Sequence, residues 1–342
     1  MLDILNPFSS PSATSEITEL RIYPIKSCRG ISIQKSFLTK QGLDLDRRWM
    51  FVDAETMKFI TIRDISQMTL IDTSLDSTSS NLTISIHNTP HNIAIPTRPS
   101  ASWLESNTTL SRVNIWDHET DGYVYSDAIN SIFTGFFSKP VKLVYKGPTP
   151  RILRGNGAPE LLGREESTNF PDVMPVLIAN ESSLRELNGR LREKGHEEIT
   201  VERFRPNIIV KGAEEGDTAS KGGLPTAWSE DRWKTVRILP SAEQKSGLAS
   251  LLGAGGDERP LEIDVQARCA RCQVPNVDPD TAEKDKKEPW DTLVSYRRVD
   301  EGVKWKPCFG MLSCPRSEGD IAVGMKFEVV ATTDDHNYIK GF

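Results

Sequence analysis

The segment Ala267-Arg-Cys-Ala-Arg-Cys-Gln-Val-Pro-Asn-Val-Asp-Pro-Asp-Thr281 carries the densest chemistry of this 342-residue chain. Its two cysteines, Cys269 and Cys272, are open to three interpretations: half of a zinc site completed by two later cysteines, a redox dithiol, or a pair of packed thiols. Arg268 and Arg271 favour thiolate formation, and a thiolate is the form that binds soft metals. Arginine is also the side chain best shaped to hold phosphate.

Composition excludes several classes of protein. The 42 basic and 48 acidic residues give a net charge of −6, which predicts no strong attraction to nucleic acid or to an anionic membrane. The five cysteines are an odd number, and so do not form a disulfide framework. No apolar run reaches the roughly 18 residues of a transmembrane segment, and the first sixteen residues contain neither Lys nor Arg, unlike a presequence. We expect a cytoplasmic protein with reduced thiols.

The hydrophobic pattern predicts many short strands. Leu82–Ile86 alternates strictly and is followed, after a polar turn, by Ile93–Ile95, which is typical of a hairpin. Val113–Trp116 and Gly122–Tyr125 predict a second strand pair, and Phe204–Gly212 predicts a further strand. Many short strands with only two or three helices favour barrels over a doubly wound sheet. The predicted fold class is therefore mainly β with a few helices (α+β).

The length predicts two domains. Residues 147–157 are rich in Gly, Pro and Arg, which places the division there and gives predicted domains at 17–146 and 147–342. Residues 1–16 are predicted to be a flexible tail. Residues 241–258 are rich in Gly, Ser and Ala, and are predicted to be a surface insertion just before the cysteine segment.

Several separated motifs, in order, resemble those of the MOSC-domain family, and most of all its mitochondrial amidoxime-reducing components. They are Tyr23-Pro-Ile-Lys-Ser27 with Gly30, Asp46-Arg-Arg-Trp49, Phe204-Arg-Pro-Asn207, the cysteine segment with its Val277-Asp-Pro-Asp-Thr281, Leu293-Val-Ser-Tyr-Arg297 and Phe309-Gly310. The resemblance implies an N-terminal β-barrel-like domain followed by a MOSC β-barrel domain.

The same resemblance implies a molybdenum–pterin cofactor (Mo-molybdopterin) with one protein cysteine on the metal. By position that catalytic, metal-binding residue is Cys272. The implied cofactor-binding residues are Lys26, Ser27, Arg47, Asp172, Arg205, Asn207 and Arg271. Their chemistry suits the assignment, since Lys and Arg neutralise phosphate while Ser and Asn donate short hydrogen bonds. Asp172 matches less well, because Val173-Met174 follows it in place of small polar residues.

The function implied by the resemblance is the reduction of N-hydroxylated compounds, with electrons from cytochrome b5 and its NADH-dependent reductase. One alternative is a sulfur-transfer or cofactor-carrier protein, like the MOSC domain at the end of molybdenum-cofactor sulfurases, which use pyridoxal phosphate. Another is a structural zinc protein with four cysteine ligands, Cys269, Cys272, Cys308 and Cys314. Under the reductase interpretation Cys269 supports Cys272, and the two later cysteines have no assigned role.

Overall fold

The protein is described here by a computed structural model that covers residues 14–214, 223–240 and 259–341. Within these ranges it contains twenty strands and five helices. The strands are β1 (Thr14–Ile22), β2 (Ile31–Ile33), β3 (Lys35–Thr39), β4 (Gly42–Leu43), β5 (Trp49–Asp53), β6 (Ile71–Leu75), β7 (Asn81–Ile86), β8 (Asn92–Pro96), β9 (Thr108–Ile115), β10 (His118–Tyr125), β11 (Val141–Lys146), β12 (Arg151–Ile152), β13 (Ser167–Thr168), β14 (Val176–Asn180), β15 (Ile208–Val210), β16 (Trp233–Ile238), β17 (Leu261–Ala270), β18 (Cys308–Pro315), β19 (Gly319–Ala322) and β20 (Lys326–Thr332). The helices are α1 (Ala101–Asn107), α2 (Asp127–Phe137), α3 (Pro159–Leu162), α4 (Glu181–Glu193) and α5 (Trp290–Tyr296).

Seven strands close into a barrel in the order β15-β14-β18-β17-β16-β20-β1, and β1 completes the ring by pairing antiparallel with β15. Apolar side chains from these strands, such as Ile17, Val236 and Phe327, are fully buried in one large core. The first strand of the chain therefore belongs to a barrel built mostly from the second half. The predicted division between residues 146 and 147 stays a prediction.

Most other strands of the first half form two further sheets, β5-β11-β10-β9 and β6-β7-β8. Strand β3 lies between β19 and β4, β2 pairs with β1, and β12 pairs with β13. Helix α2 covers the first of these sheets because its apolar stripe faces inward. Phe133 and Phe137 contact Phe51 of β5 edge to face, with ring centroids 5.0 and 5.5 Å apart.

The fold-class prediction of a mainly β protein with a few helices is confirmed, and so are both predicted strand pairs. Leu82 of β7 lies opposite Ile95 of β8, and β9 pairs with β10 along its whole length. The predicted flexible tail at residues 1–16 is wrong at its last three residues, because residues 14–16 belong to β1. Residues 1–13 and the predicted insertion at 241–258 lie outside the described residues.

The strand predicted at Phe204–Gly212 is wrong in its first half. Residues 201–204 form a 3-10 turn, Arg205 adopts the left-handed conformation with φ of +60°, and only Ile208–Val210 is a strand. The residue before a proline avoids the right-handed helical region. With Pro206 next in the chain, the 3-10 turn ends at Phe204, and the left-handed Arg205 separates it from the strand that begins at Ile208.

In the described ranges, no helix is both long and apolar enough to cross a bilayer.

Glu230 is a fully buried carboxyl whose pKa predicts a pH-dependent stability. Burial, reinforced by the charge of Asp231, raises the pKa of Glu230 to about 7 from 4.5, while Asn180 Nδ2 donates to it at 3.1 Å. Between these two values the folded protein binds a proton that the unfolded chain does not, so stability falls as the pH rises through this window. The loss is about 3 kcal/mol.

We expect Glu230→Gln to remove this dependence, because glutamine imitates the protonated carboxyl. The variant should be more stable than wild type above pH 7 and equal to it below pH 4.5, measured by urea unfolding at a series of pH values. A stability difference that is the same at every pH would contradict the assignment.

Candidate functional site

A cavity of about 360 Å³ lies where the end of β17 meets the turns that follow β1 and precede β5 and β15. All eight residues that the sequence assigned to a site line it: Lys26, Ser27, Arg47, Asp172, Arg205, Asn207, Arg271 and Cys272. Some of them are more than 240 positions apart in the chain. Its volume is in the range of cavities that hold cofactors and small ligands.

Two turns of the cavity wall are joined by backbone hydrogen bonds. Lys26 N donates to Trp49 O at 2.8 Å, and Arg47 N donates to Tyr23 O at 2.9 Å. Ser27 and Arg47 both have positive φ, 70° and 45°, a conformation that costs energy for any residue with a side chain. Such strain persists only where the surroundings impose it, and it is concentrated at functional sites.

Tyr23 organises two of the predicted arginines. Its side chain is fully buried, and the guanidinium groups of Arg47 and Arg205 lie 4.4 and 4.2 Å from its ring centroid. Gly30 makes room for this ring, since a Cβ there would lie 2.5 Å from Tyr23 Cε1. The Tyr-Pro-Ile-Lys-Ser motif and its glycine thus position the arginines, a role that the sequence pattern did not assign to Tyr23.

Arg205 is a cation of the cavity with a hydrogen bond left unmade. Its Nη2 atom is buried and has no hydrogen-bond acceptor among the described residues. Burial lowers the pKa of Arg205 to about 10, and the charge of Arg47 adds to this effect. Burial of a guanidinium N–H without a hydrogen-bond acceptor costs free energy. Arg205 is therefore suited to bind an anion.

Asn207 makes its hydrogen bonds within the wall of the cavity. Its Oδ1 accepts hydrogen bonds from Arg47 Nη1 at 3.0 Å and from Leu177 N at 3.1 Å, and its Nδ2 donates to Arg21 O at 3.1 Å. The remaining amide hydrogen faces the carboxylate of Asp46. Asn207 therefore positions Arg47 beside the cavity, and the hydrogen bond to a cofactor expected from its residue type is already made within the protein.

The buried Lys26 forms an ion pair with the partly exposed Asp172 at the other side of the cavity. Lys26 Nζ donates to the Asp172 carboxylate and, at 2.9 Å, to Phe170 O. Burial lowers the pKa of Lys26 to about 8, although Asp172 opposes the shift. Burial alone would raise the pKa of Asp172, but Lys26 and Arg63 together hold it well below its usual range.

Arg63 and Trp116 complete this network, and the sequence analysis missed both. Arg63 Nη2 donates to Asp172 Oδ2 at 3.1 Å, and Trp116 Nε1 donates to Asp172 Oδ1 at 3.2 Å. The Arg63 guanidinium also lies over the Trp116 ring and interacts with the Cys272 sulfur. Arg63 stands alone in a loop sequence with no motif, so no local signal pointed to it.

Cys272 lies two residues beyond the end of β17 and is partly exposed to the cavity. Arg271 holds the chain in place between the end of β17 and Cys272. Its backbone N donates to Pro307 O and its Nη2 to Phe204 O, both at 2.8 Å. Its Nη1 donates to Cys269 Sγ at 3.1 Å. Cys269 therefore contacts the arginine next to Cys272, as expected of a supporting residue.

The other cysteines are structural. Burial raises the pKa of Cys308 and that of Cys314 to about 12, so both stay protonated. They are six residues apart on β18, which separates them by roughly 20 Å. The described residues contain no group of three or more His, Cys, Asp or Glu that could hold a metal. The four-cysteine zinc interpretation is therefore wrong.

The donor set instead fits an anionic group that brings most of a metal's ligands itself. Seven basic side chains line the cavity, and four of them are among the residues assigned from the sequence: Lys26, Arg47, Arg205 and Arg271. The N–H of Arg205 without an acceptor suits a phosphate oxygen. Two partly exposed thiols line the cavity, and because Arg271 Nη1 donates to Cys269 Sγ, Cys272 is the thiol better suited to a metal that needs one protein ligand. A molybdenum–pterin cofactor has both features.

Comparison with known proteins identifies both halves of the chain. Residues 14–140 match the family model of the MOSC N-terminal beta barrel domain, and residues 165–328 match that of the MOSC domain. Mitochondrial amidoxime-reducing component 1 from Homo sapiens is 27% identical over 317 residues, which cover 90% of this chain and 81% of the relative.

Molybdenum cofactor sulfurase from Arabidopsis thaliana is 30% identical over 306 residues, which cover 86% of this chain but only 32% of the relative. Among solved structures, the YUAD protein from Bacillus subtilis aligns over 93% of this chain and 96% of that chain with 10% identity and a TM-score of 0.33, a likeness too weak to argue from. The two matched domains and the relatives that share them agree with the motifs that surround the cavity: the chain belongs to the MOSC-domain proteins, with a MOSC N-terminal beta barrel domain followed by a MOSC domain.

Proposed function

We propose that this protein is a molybdenum-cofactor-dependent reductase of N-hydroxylated compounds. One observation supports this most: seven basic side chains and two partly exposed thiols, Cys269 and Cys272, separated widely in sequence, line a single cavity of about 360 Å³. The relatives named amidoxime-reducing components match along 90% of the chain, which suggests the substrate class.

Each residue of the cavity has a role in this proposal. Arg205 and Arg271 hold the phosphate of the cofactor, with Arg47 kept in place by Asn207 and Tyr23. Lys26 and Asp172 form the opposite wall of the cavity. Ser27, with its positive φ, forms the backbone turn that follows Lys26. Cys272 is the protein ligand of the metal.

The reaction is a two-electron reduction. An amidoxime takes up two electrons and two protons, its N–O bond breaks, and an amidine and water are released. The bound cofactor supplies the redox chemistry, since the metal changes between two oxidation states. The chain binds, orients and shields the reacting groups, with Arg63 held by Asp172 beside the Cys272 sulfur.

The electrons come from a separate protein in this proposal, with cytochrome b5 and its NADH-dependent reductase as the proposed donors. We place the reaction in the cytoplasm, a location that cell fractionation tests directly. The names of the relatives point to mitochondria instead, so recovery of the protein in the mitochondrial fraction would overturn this assignment.

The activity is tested with protein from a host that makes the molybdenum cofactor, with reduced methyl viologen as the electron source and benzamidoxime as the substrate. We expect benzamidine to form in proportion to the molybdenum content of the preparation. Protein from a host that lacks cofactor synthesis is the control. Equal rates with and without the cofactor would contradict the proposal.

A second candidate function is sulfur transfer or cofactor carriage, with pyridoxal phosphate supplied by a separate domain. It is favoured by the 30% identity to a molybdenum cofactor sulfurase, of whose length this chain spans about a third. In that case Cys272 carries a persulfide instead of binding the metal. Mass spectrometry of the purified chain distinguishes the two functions, because a persulfide adds the mass of one sulfur atom to the peptide containing Cys272.

A further inference from the structure

Residues 333–341 follow β20 and lie beyond residue 328, the last one that matches the MOSC family model. They form neither helix nor strand, yet two of their side chains, Tyr338 and Lys340, line the cavity of the candidate site. The match to the family does not account for this part of the cavity wall. We call residues 335–341 the strap.

The first anchor of the strap is the buried carboxylate of Asp300. Its Oδ1 accepts from Tyr338 N at 2.8 Å and from Gly302 N at 3.0 Å. Arg268 of β17 donates from Nη1 to Asp300 Oδ2 at 3.3 Å and to His336 O at 2.8 Å. The strap is therefore tied to the strand that enters the cysteine segment.

The second anchor is the buried side-chain amide of Asn156. Its Nδ2 donates to Asn337 O at 2.8 Å, and its Oδ1 accepts from Ile339 N at 2.7 Å. One side chain therefore holds the backbone on both sides of Tyr338, and this fixes the position at which the ring enters the cavity.

Gly302 lets the strap approach the underlying loop closely. A Cβ at this position would lie 2.1 Å from Tyr338 O, a separation that real Cβ atoms do not reach. The φ of Gly302 is not positive, so the approach of the strap, and not the backbone conformation, requires glycine here. The loop and the strap are in contact through their backbones.

The strap has few apolar contacts of its own. Asn337, Ile339 and Lys340 are exposed, His336 is buried, and Tyr338 is half-buried against an apolar cluster beside the cavity. A segment held mainly by hydrogen bonds opens at a lower free energy than the one needed to unfold the whole protein. We therefore expect the strap to open while the barrel stays intact.

We propose that the strap retains the cofactor in the cavity, with Tyr338 as the side chain that contacts it. Tyr338 lies near Cys269 and Asp172 and brings a ring and a hydroxyl donor to the cavity, while Lys340 brings a cation that suits an anionic group. Coupling between two such events is reciprocal, so a bound cofactor should also keep the strap closed. This inference rests on the cofactor site of the proposed function, and it adds the segment that holds the cofactor there.

Two variants loosen the strap in different ways. Gly302→Ala places a methyl group against Tyr338 O and pushes the strap away, without changing a residue that lines the cavity. Its matched control is Gly189→Ala on α4, where a Cβ meets no atom within 4 Å. Tyr338→Ala removes the ring and keeps the backbone anchors. Its matched control is Tyr123→Ala, a half-buried tyrosine of β10 that does not line the cavity.

Retention is measured as the rate at which loaded protein loses molybdenum during dialysis, followed by metal analysis. We expect release to be at least tenfold faster from Gly302→Ala and Tyr338→Ala, and unchanged in both controls. All four variants should remain folded, which thermal unfolding checks.

Hydrogen exchange followed by mass spectrometry gives a second readout that does not depend on activity. The amides of residues 336–340 should exchange at least tenfold more slowly in loaded wild type than in cofactor-free wild type. In Gly302→Ala they should exchange faster than in wild type, with or without the cofactor.

These outcomes separate the strap from the proposed function. If wild type from a host that makes the cofactor binds no molybdenum, the proposed function fails and this inference fails with it. If wild type binds molybdenum but does not reduce benzamidoxime, only the proposed reaction fails, and the release rates still decide on the strap.

Release at the wild-type rate from both strap variants overturns the inference, and so does a strap that exchanges equally fast with and without the cofactor. Faster release from Gly302→Ala alone overturns the contact assigned to Tyr338. If hydrogen exchange shows that Gly302→Ala has not displaced the strap, the release rate of Tyr338→Ala decides.

Discussion

Replacement of Cys272 by alanine is expected to reduce benzamidoxime reduction at least about 100-fold while the protein stays folded. Loss of groups that merely support a metal ligand already costs about 10- to 100-fold, and this change removes the ligand itself. The fold should persist, because Cys272 lies outside the strands, after the end of β17, and is not part of the buried core. The measurements are steady-state rates with reduced methyl viologen and the thermal unfolding of each protein.

The matched control for this experiment is Cys314→Ala. Cys314 is a buried, protonated thiol on β18 that does not line the cavity, so its loss should lower stability slightly and leave the activity per bound molybdenum unchanged. Activity of Cys272→Ala within a few-fold of wild type would show that this thiol is not the metal ligand.

Replacement of Arg205 by methionine is expected to separate cofactor binding from stability. Charge-assisted hydrogen bonds contribute about 1.5 to 3 kcal/mol, so loss of the guanidinium should lower the molybdenum retained per chain about tenfold or more. The free energy of unfolding of the cofactor-free protein should not fall. The reason is that Arg205 Nη2 is buried and has no acceptor among the described residues, and the methionine thioether replaces the cation–π contact with Tyr23 by a sulfur–aromatic contact.

Arg203→Met is the control, two residues earlier in the chain. Arg203 forms an ion pair with Asp278 at 2.7 Å and does not line the cavity, so molybdenum content should match that of wild type. Metal analysis after gel filtration and urea unfolding of the cofactor-free proteins provide the two readouts. An Arg205→Met protein that keeps its molybdenum would contradict the assigned role. So would a cofactor-free Arg205→Met protein whose free energy of unfolding is clearly below that of wild type.

The sequence predicted the cavity residues because each lies in a short motif of its own. Lys26 and Ser27 follow Tyr23-Pro, Arg47 lies before Trp49, and Cys272 is the second cysteine of the cysteine segment. Each motif forms a turn at one edge of the barrel or of the sheet beside it, and the backbone of these turns is constrained. This is visible in the positive φ values of Ser27 and Arg47.

What the sequence did not predict depends on contacts between distant segments. Arg63 acquires its role from Asp172 and Cys272, which are 109 and 209 positions away, and nothing in its own neighbourhood signals this. The same holds for β1, whose pairing with β15 closes the barrel across almost 200 residues. Asn207 lines the cavity as predicted, but its Oδ1 accepts hydrogen bonds within the wall, and its contact with a cofactor stays a prediction.

The central claim, that Cys272 binds the metal of a molybdenum–pterin cofactor held in this cavity, is tested most directly by X-ray absorption at the molybdenum edge. The experiment compares loaded wild-type protein with loaded Cys272→Ser protein, since serine replaces the sulfur with oxygen at the same position. We expect the molybdenum of the variant to have one sulfur ligand fewer than that of wild type. Identical sulfur coordination in the two proteins, or a wild-type preparation that carries zinc and no molybdenum, would contradict the account.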